Sequence, residues 1–237
     1  THAPAAIRAM NQGIHVYCQK PLTHTVWEAR QMRLVAEKNK VCTQMGNQGT
    51  ASTGMREGVE ALWAGAIGEI KECHVWTNRP VWPQAPGVTK RLPEQPVPDH
   101  VDWNSFIGPA EMRPYNSGYH PFKWRGWWDY GTGAMGDMAC HTANLAYMGC
   151  KLTQPNWVEP INVGPVNPET FPAWAVVKLK FPAIKRRGPV DFFWYEGKQD
   201  GKKKLPPAEL FHDNRPTNSG SLIVGTKGIL YSPDDYG

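Results

Sequence analysis

The chain has 237 residues, of which 41% are hydrophobic and 20% are charged, and its formal net charge is +5. This composition is typical of a soluble globular protein with one large or two smaller domains, and no apolar run is long enough to span a bilayer. The positive charge lies in two short runs, near Lys185 and Lys202, without a basic helix, which argues against nucleic-acid binding.

The first 46 residues predict alternating helices and strands. Residues 4–12 carry apolar side chains at helical spacing, and "IHVYC" follows as a short apolar strand. Residues 23–40 predict an amphipathic helix, in which Thr25 and Glu28 have the spacing of a capping box, and "VCTQMG" is a second strand. This order, with tight connections, is typical of a parallel α/β layer, but it is too short to close a doubly wound sheet.

A different pattern begins at Asn47. Residues 52–68 predict a helix ended by glycine, and residues 69–79 alternate like a strand with one solvent-facing side. Pro80–Asp99 is a proline-rich loop without periodicity, and a loop of that length is more often functional than idle. A short helix in "DWNSFIGPA" and a long helix over 136–149 follow.

The rest of the chain predicts strands separated by turns, in "WVEPINVGPV", "AWAVVKLKF", "VDFFWYEG" and "SLIVGTKGILY". Strands that follow helices indicate a mostly antiparallel open sheet with helices on one face. The predicted fold is therefore α/β plus α+β, a partial parallel layer followed by this sheet.

The first candidate site is Gln19-Lys20-Pro21, directly after the first strand. Ligands of parallel sheets bind outside the carboxyl ends of the strands, so Lys20 could point into a cleft. An ordinary turn with a surface lysine explains the same residues equally well.

The second candidate site is the glycine-rich segment that precedes the long helix. Gly131, Gly133 and Gly136 would let a ligand approach the backbone closely, and Asp137 and His141 are four residues apart on one helical face. A carboxylate beside a histidine suits general acid–base chemistry. The alternative is an acidic residue near a helix N-terminus and a histidine satisfied in the core.

The third candidate is a set of aromatic residues that could line a carbohydrate pocket, although most of them would fill a core. They are Trp76, Trp82, Trp103, Trp124, Trp127 and Trp128, with Tyr119 and His120.

Taken together, these motifs resemble the glucose-fructose oxidoreductase and inositol dehydrogenase family (Gfo/Idh/MocA). The family's Glu-Lys-Pro corresponds to Gln19-Lys20-Pro21, and its glycine-rich stretch with Asp, three residues and His corresponds to Gly131–His141. The resemblance implies that residues 1–46 are the C-terminal part of a dinucleotide-binding Rossmann domain. Residues 47–237 would then form a substrate-binding and oligomerisation domain.

The resemblance also implies a function, namely NAD- or NADP-dependent oxidation of a sugar or cyclitol hydroxyl, in a homo-oligomer that binds neither nucleic acid nor a membrane. Lys20, Asp137 and His141 would be catalytic. The expected cofactor contacts are Gln19, Lys20, Pro21, Gln48, Trp124 and Arg125, and the expected substrate contacts are Tyr119 and His120. No metal site is expected, since the sequence contains neither a CxxC pair among its five cysteines nor an HExxH motif.

Three departures from the family pattern bear on these expectations. Gln19 replaces the usual glutamate, Asn144 stands where an aspartate often occurs, and the family's glycine fingerprint for pyrophosphate would precede Thr1. The chain is therefore expected to begin inside a longer protein. Its sequence is compatible with a cytoplasmic or a periplasmic location. Two alternatives remain: an NAD-dependent glycosidase that oxidises C3 transiently, and a non-catalytic sugar-binding module.

Overall fold

The computed structural model describes residues 2–236 and begins with a small parallel layer. Its elements are α1 (His2–Asn11), β1 (Val16–Gln19), α2 (Val26–Asn39) and β2 (Thr43–Gly46). The two strands pair in parallel, with Val16 opposite Thr43 and Gln19 opposite Gly46. Because the strands are parallel and in register, Lys20 and Asn47 follow their carboxyl ends at the same edge of the sheet.

The predicted capping box begins α2. The Thr25 side chain accepts a hydrogen bond from the backbone N–H of Glu28 (3.2 Å), and the Glu28 carboxylate accepts one from the N–H of Thr25 (2.9 Å). At the other end, Lys40 adopts a left-handed conformation (φ 52°) and closes the helix. The box fixes the first turn of α2, and thus the end of the loop that carries Lys20.

The second part of the structure contains four helices and seven strands. The helices are α3 (Thr53–Trp63), α4 (Trp103–Ile107), α5 (Gly133–Thr142) and α6 (Asn144–Gly149). The strands are β3 (Ile70–Thr77), β4 (Trp157–Val163), β5 (Trp174–Phe181), β6 (Val190–Gln199), β7 (Lys202–Lys203), β8 (Gly220–Gly225) and β9 (Ile229–Ser232).

These seven strands form one sheet in the order β4-β5-β6-β3-β8-β9, with β7 paired to β6. The β3 and β6 pair is parallel, and the other pairs are antiparallel. Side chains of α3, α5 and α6 join those of the central strands in the largest hydrophobic core. The prediction of a partial parallel layer followed by a mostly antiparallel sheet with helices on one face is confirmed.

The prediction of one solvent-facing side for β3 is wrong. Cys73 and Val75 are fully buried in the core beneath the helices, and on the opposite face Trp76 is fully buried with Phe211 and Leu222. Strand β3 lies between β6 and β8, and a segment from the far end of the chain covers its second face. The alternation of polar and apolar residues along one strand does not show whether a distant segment packs on its second face.

Two predicted elements are divided in the structure. The helix expected over 136–149 begins three residues earlier and breaks at Ala143, so that α5 and α6 replace it. The segment "SLIVGTKGILY" forms two strands, β8 and β9, joined by a short turn. The pieces α5, α6 and β8 keep buried residues in the core, whereas the apolar residues of β9 are half-buried.

None of the helices described between residues 2 and 236 has the length and apolar character needed to cross a membrane. Within the same range, no group of three or more His, Cys, Asp or Glu side chains is arranged to hold a metal ion.

Candidate active site

A polar pocket of about 280 Å³ lies where the carboxyl ends of β1 and β2 meet α5. It is lined by Lys20, Gln48, Arg79, Trp82, Phe122, Arg125, Asp137, Met138, His141, Asp235 and Tyr236. The structure thus brings Lys20, Asp137 and His141 to one pocket, together with Gln48 and Arg125. This is the edge of a parallel layer at which ligands bind.

Lys20 is a cleft lysine. Its ammonium group donates to the Asp137 carboxylate (3.0 Å) and to the Asp137 carbonyl (3.2 Å), and its side chain is 24% exposed. The guanidinium of Arg125 contacts the same carboxylate oxygen, with 3.4 Å between Nε and Oδ1. One carboxylate therefore lies between two cations, and the ion pair joins the first layer to α5.

His141 lies one turn after Asp137 on α5 and is 8% exposed. Burial lowers the pKa of His141 below its ordinary value, and the positive charge of Lys20 lowers it further, against smaller opposing effects of Asp235 and Asp137. The imidazole is therefore neutral at pH 7 and can accept a proton.

Two neighbours of His141 are absent from the sequence-based site. Its Nδ1 atom lies 3.2 Å from Oδ1 of Asn47 and contacts the hydroxyl of Tyr236. Asn47 could have been found from its position directly after β2, whereas Tyr236, 95 residues beyond His141, gives no signal in the sequence.

The glycines at the start of α5 are explained by packing within the protein. A Cβ atom on Gly131 would lie 2.3 Å from the Arg125 carbonyl oxygen, and one on Gly136 would lie 2.3 Å from the Thr132 side chain. Gly133 has φ +64°, which favours glycine. Their G-x-G-x-x-G spacing does not follow a strand in the structure, so the context of a dinucleotide fingerprint is missing here.

The other expected cofactor contacts are near the pocket without lining it. The side-chain oxygen of Gln19 lies over Gly46, so close that a Cβ atom on Gly46 would come within 2.2 Å of it. The Pro21 carbonyl accepts a hydrogen bond from the His2 ring (2.8 Å). Trp124 lines a neighbouring cavity of about 630 Å³ and stacks against the Arg125 guanidinium at 4.5 Å.

The expected substrate contacts are not brought to the pocket. Tyr119 is 1% exposed within an aromatic cluster that includes Trp103 and Trp127, and its hydroxyl accepts from the Leu92 N–H (2.9 Å). His120 packs edge-on against Phe106. Tyr119 is committed to the packing of the long loop and His120 to a contact with α4, which local sequence could not indicate.

Two other aromatic residues line the pocket. Trp82 and Phe122 meet edge to face, with ring centroids 6.0 Å apart. Trp82 is among the aromatics considered from the sequence, whereas Trp76, Trp103 and Trp127 are core residues.

Pockets for small ligands have volumes of roughly 300–1,000 Å³. At about 280 Å³, this pocket is large enough for one ring of a ligand and too small for a whole dinucleotide. Its wall offers the cations Lys20, Arg79 and Arg125 and the amide of Gln48. These groups offer hydrogen-bond donors and positive charge to a polar ligand of that size.

Two domain models of one family match the chain. The model described as "Oxidoreductase family, NAD-binding Rossmann fold" matches residues 1–47, and the one described as "Oxidoreductase family, C-terminal alpha/beta domain" matches residues 77–183. Together they match more than half of the chain. The first of these models describes an NAD-binding domain, so the expected dinucleotide cofactor is confirmed.

Solved structures share the fold at low identity. The WlbA dehydrogenase from Chromobacterium violaceum, in complex with NADH and UDP-GlcNAcA, is 16% identical with a TM-score of 0.59, over 97% of this chain and 52% of that one. Its counterpart from Bordetella pertussis, with the same ligands, is 16% identical with a TM-score of 0.58, over 97% of this chain and 54% of that one. The aldose-aldose oxidoreductase from Caulobacter crescentus, complexed with glycerol, is 15% identical with a TM-score of 0.54, over 99% of this chain and 54% of that one.

The chain thus spans about half the length of these structures. A search of the curated proteins gives no match to this chain.

Proposed function

Since this chain belongs to the Gfo/Idh/MocA oxidoreductase family, we propose that it forms the substrate-facing part of an NAD(P)-dependent dehydrogenase that oxidises a hydroxyl group on a sugar or cyclitol. The observation that carries the proposal is the convergence of Lys20, Asp137 and His141 on one polar pocket. These side chains come from the loop after β1 and from α5, elements that are far apart in sequence.

Lys20 would bind and polarise the reacting oxygen. An ammonium group has three N–H donors, of which two are directed to the carboxylate and carbonyl of Asp137. The third can be donated to a substrate hydroxyl, and it becomes more valuable as negative charge develops on that oxygen. Asp137 positions the ammonium group rather than reacting itself.

His141 would accept the hydroxyl proton. It is neutral at pH 7 because burial and Lys20 lower its pKa, and it lines the same pocket as Lys20. A well-placed base contributes about 10²–10⁴-fold in rate. When bound, the nicotinamide ring supplies the acceptor for the hydride that leaves the same carbon, and Gln48 and Arg125 are the residues that would hold it.

The lining supports a polyhydroxylated ring as substrate. Trp82 and Phe122 offer apolar ring faces beside the polar groups of Arg79, Asp137 and Asp235. A sugar or cyclitol presents C–H faces and hydroxyls in the same alternation. The sugar-nucleotide bound to the WlbA dehydrogenases agrees with this class, without identifying the substrate of this chain.

The test uses the full-length protein with a panel of polyols and aldoses and follows nicotinamide absorbance. Lys20→Met and His141→Gln should each lower kcat by about 10²-fold or more. Two exposed residues outside the pocket, in Lys71→Met and His100→Gln, provide matched controls and should leave kcat unchanged. Wild-type activity in either pocket variant would refute the assigned roles.

The same site could instead serve glycosidic cleavage through transient oxidation, because the neighbouring cavity lined by Trp124 and Trp128 could hold a leaving group. Release of nitrophenol from an aryl glycoside, with no net change in nicotinamide absorbance, would favour this second function.

We also propose a homo-oligomer. Strand β4 is an exposed sheet edge on which Trp157, Val158 and Ile161 are each more than half exposed. Light scattering should report a multiple of the chain mass, and Ile161→Lys should reduce it; a wild-type monomer would contradict the proposal.

A further inference from the structure

From the hydrogen-bond geometry around His141, we infer that Asn47 and Tyr236 are positioning residues that hold its proton on Nδ1 and leave Nε2 as the proton acceptor. The inference concerns the tautomer of the imidazole. It rests on the proposed function only for its catalytic consequence.

The first step is the orientation of the Asn47 amide. Its Nδ2 atom faces the carbonyl oxygen of Cys140 on α5. A carbonyl oxygen only accepts hydrogen bonds, so the amide atom facing it must be the nitrogen. The amide oxygen, Oδ1, is therefore directed to the other side, toward Tyr236 and His141.

The second step is the hydroxyl of Tyr236. It lies 2.6 Å from Oδ1 of Asn47, and Oδ1 can only accept. Tyr236 therefore donates its one hydroxyl hydrogen to Asn47. Toward any other neighbour, the phenolic oxygen acts as an acceptor.

The third step is the imidazole. The Nδ1 atom of His141 contacts both the Tyr236 oxygen and Oδ1 of Asn47 (3.2 Å), and both are acceptors in this arrangement. An N–H on Nδ1 satisfies both of them. A bare Nδ1 would instead bring the lone pairs of three acceptors together within the part-buried site, at a cost comparable to that of an unsatisfied polar group.

Tyr236 is fixed in this position by contacts of its own. Its ring lies where a Cβ atom on Gly49 would come within 2.2 Å, and its carbonyl accepts from the Ser52 hydroxyl (3.0 Å). The adjacent Asp235 accepts from the Thr142 hydroxyl on α5 (2.7 Å). The end of the described chain is thus fastened to the helix that carries His141.

The arrangement separates the choice of tautomer from charge. A carboxylate at position 47 would select the same tautomer but would raise the pKa of His141, since an opposite charge at this distance shifts a pKa by about 1–3 units. Lys20, Asp235 and Asp137 act on the pKa of His141, and the cations Arg79 and Arg125 line the same pocket. Asn47 adds no charge to them, and the imidazole stays neutral.

During the reaction the substrate O–H bond breaks and an N–H bond forms at Nε2. The resulting imidazolium keeps its Nδ1–H bond to Tyr236 and Asn47, so the tautomer does not have to change during the proton transfer. A mixture of tautomers would present an N–H, and not a lone pair, to the substrate part of the time.

Nitrogen NMR of histidine-labelled protein tests the inference without any assay of activity. The His141 signals, assigned by their loss in His141→Gln, should show a protonated Nδ1 and a bare Nε2 above the His141 pKa. In Asn47→Ala the preference should weaken toward the Nε2–H form that free histidine favours. Tyr236→Phe, which removes one of the two acceptors, should weaken the preference in the same direction. Tyr231→Phe, which removes a hydroxyl that donates to the Arg215 carbonyl outside the pocket, is its control.

Kinetics give the second readout. Asn47→Ala should lower kcat by roughly 10- to 100-fold, the usual cost of losing a residue that orients a histidine, with KM little changed. Asn47→Asp should restore the tautomer and most of kcat, while the acidic limb of the pH profile moves upward.

A protonated Nε2 in the wild type, or an unchanged tautomer in Asn47→Ala, would overturn the inference. If the tautomer is as expected but the full-length protein oxidises no polyol, the proposed function fails and the assignment of the proton stands.

Discussion

Replacing Glu196 by glutamine should stabilise the protein above pH 7. Glu196 lies on β6, is 5% exposed, and accepts a hydrogen bond from the indole N–H of Trp194 (2.6 Å). The backbone N–H of Met135, in the first turn of α5, also bonds its carboxyl group. Burial outweighs these bonds and raises the pKa of Glu196 from 4.5 to about 7.

The sign and size of the effect follow from proton linkage. Between pH 4.5 and 7, the folded state keeps a proton on Glu196 that the unfolded state releases, so the free energy of unfolding falls as pH rises through this window. The difference between a pKa of 4.5 and one of about 7 corresponds to a loss of about 3 kcal/mol, complete above pH 7. Glutamine does not titrate, so Glu196→Gln should remove this loss.

Urea denaturation at pH 5, 6, 7 and 8 measures it. The variant should lie within about 1 kcal/mol of the wild type at pH 5 and exceed it by up to about 3 kcal/mol at pH 8. Glu57→Gln, on the exposed side of α3, should leave the pH dependence of the wild type in place. Parallel curves for Glu196→Gln and the wild type would refute the reasoning.

Three further outcomes are expected. Thr25→Ala should remove the capping bond to Glu28 and lower the free energy of unfolding by about 1 kcal/mol in urea titrations, and an unchanged midpoint would count against the box. Gly131→Ala should cost about 2–3 kcal/mol and displace Arg125, since its Cβ would meet the Arg125 carbonyl; thermal stability equal to wild type would contradict this. The kcat/KM of the full-length enzyme for oxidation should fall on the acid side with an apparent pKa below 6.5, as His141 becomes protonated, and an acidic limb centred above pH 6.5 would contradict His141 as the base.

Short sequence motifs predicted the features that depend on residues close together in the sequence. The Thr25–Glu28 spacing located the start of α2, and the position of Lys20 after β1 marked the edge of the layer where the pocket lies. The alternative that Lys20 is a surface residue could not be dismissed from the motif alone. Its ion pair with Asp137 crosses 117 residues, and only the fold makes that contact visible.

The missed features are all non-local. Tyr236 reaches His141 from the segment that follows β9, and Phe211 packs against Trp76 on the second face of β3. Tyr119 gave a misleading signal, because an aromatic beside a histidine looks the same in sequence whether it lines a pocket or fills a core. Periodicity reports the burial of a face, and it says nothing about which distant segment covers that face.

The charge arrangement gives a reason for the two amides at the strand ends. Gln19 is the last residue of β1 and Asn47 follows β2, next to the pocket in which both Lys20 and Arg125 contact the Asp137 carboxylate. A glutamate at 19 would add negative charge beside Lys20, and an aspartate at 47 would add it beside His141 and favour the imidazolium. With amides at both positions, hydrogen-bonding capacity is kept while the positive field of Lys20 continues to lower the pKa of His141. The substitution of glutamine for the family's glutamate is therefore compatible with a neutral base, provided that Asp137 holds the ammonium group in place.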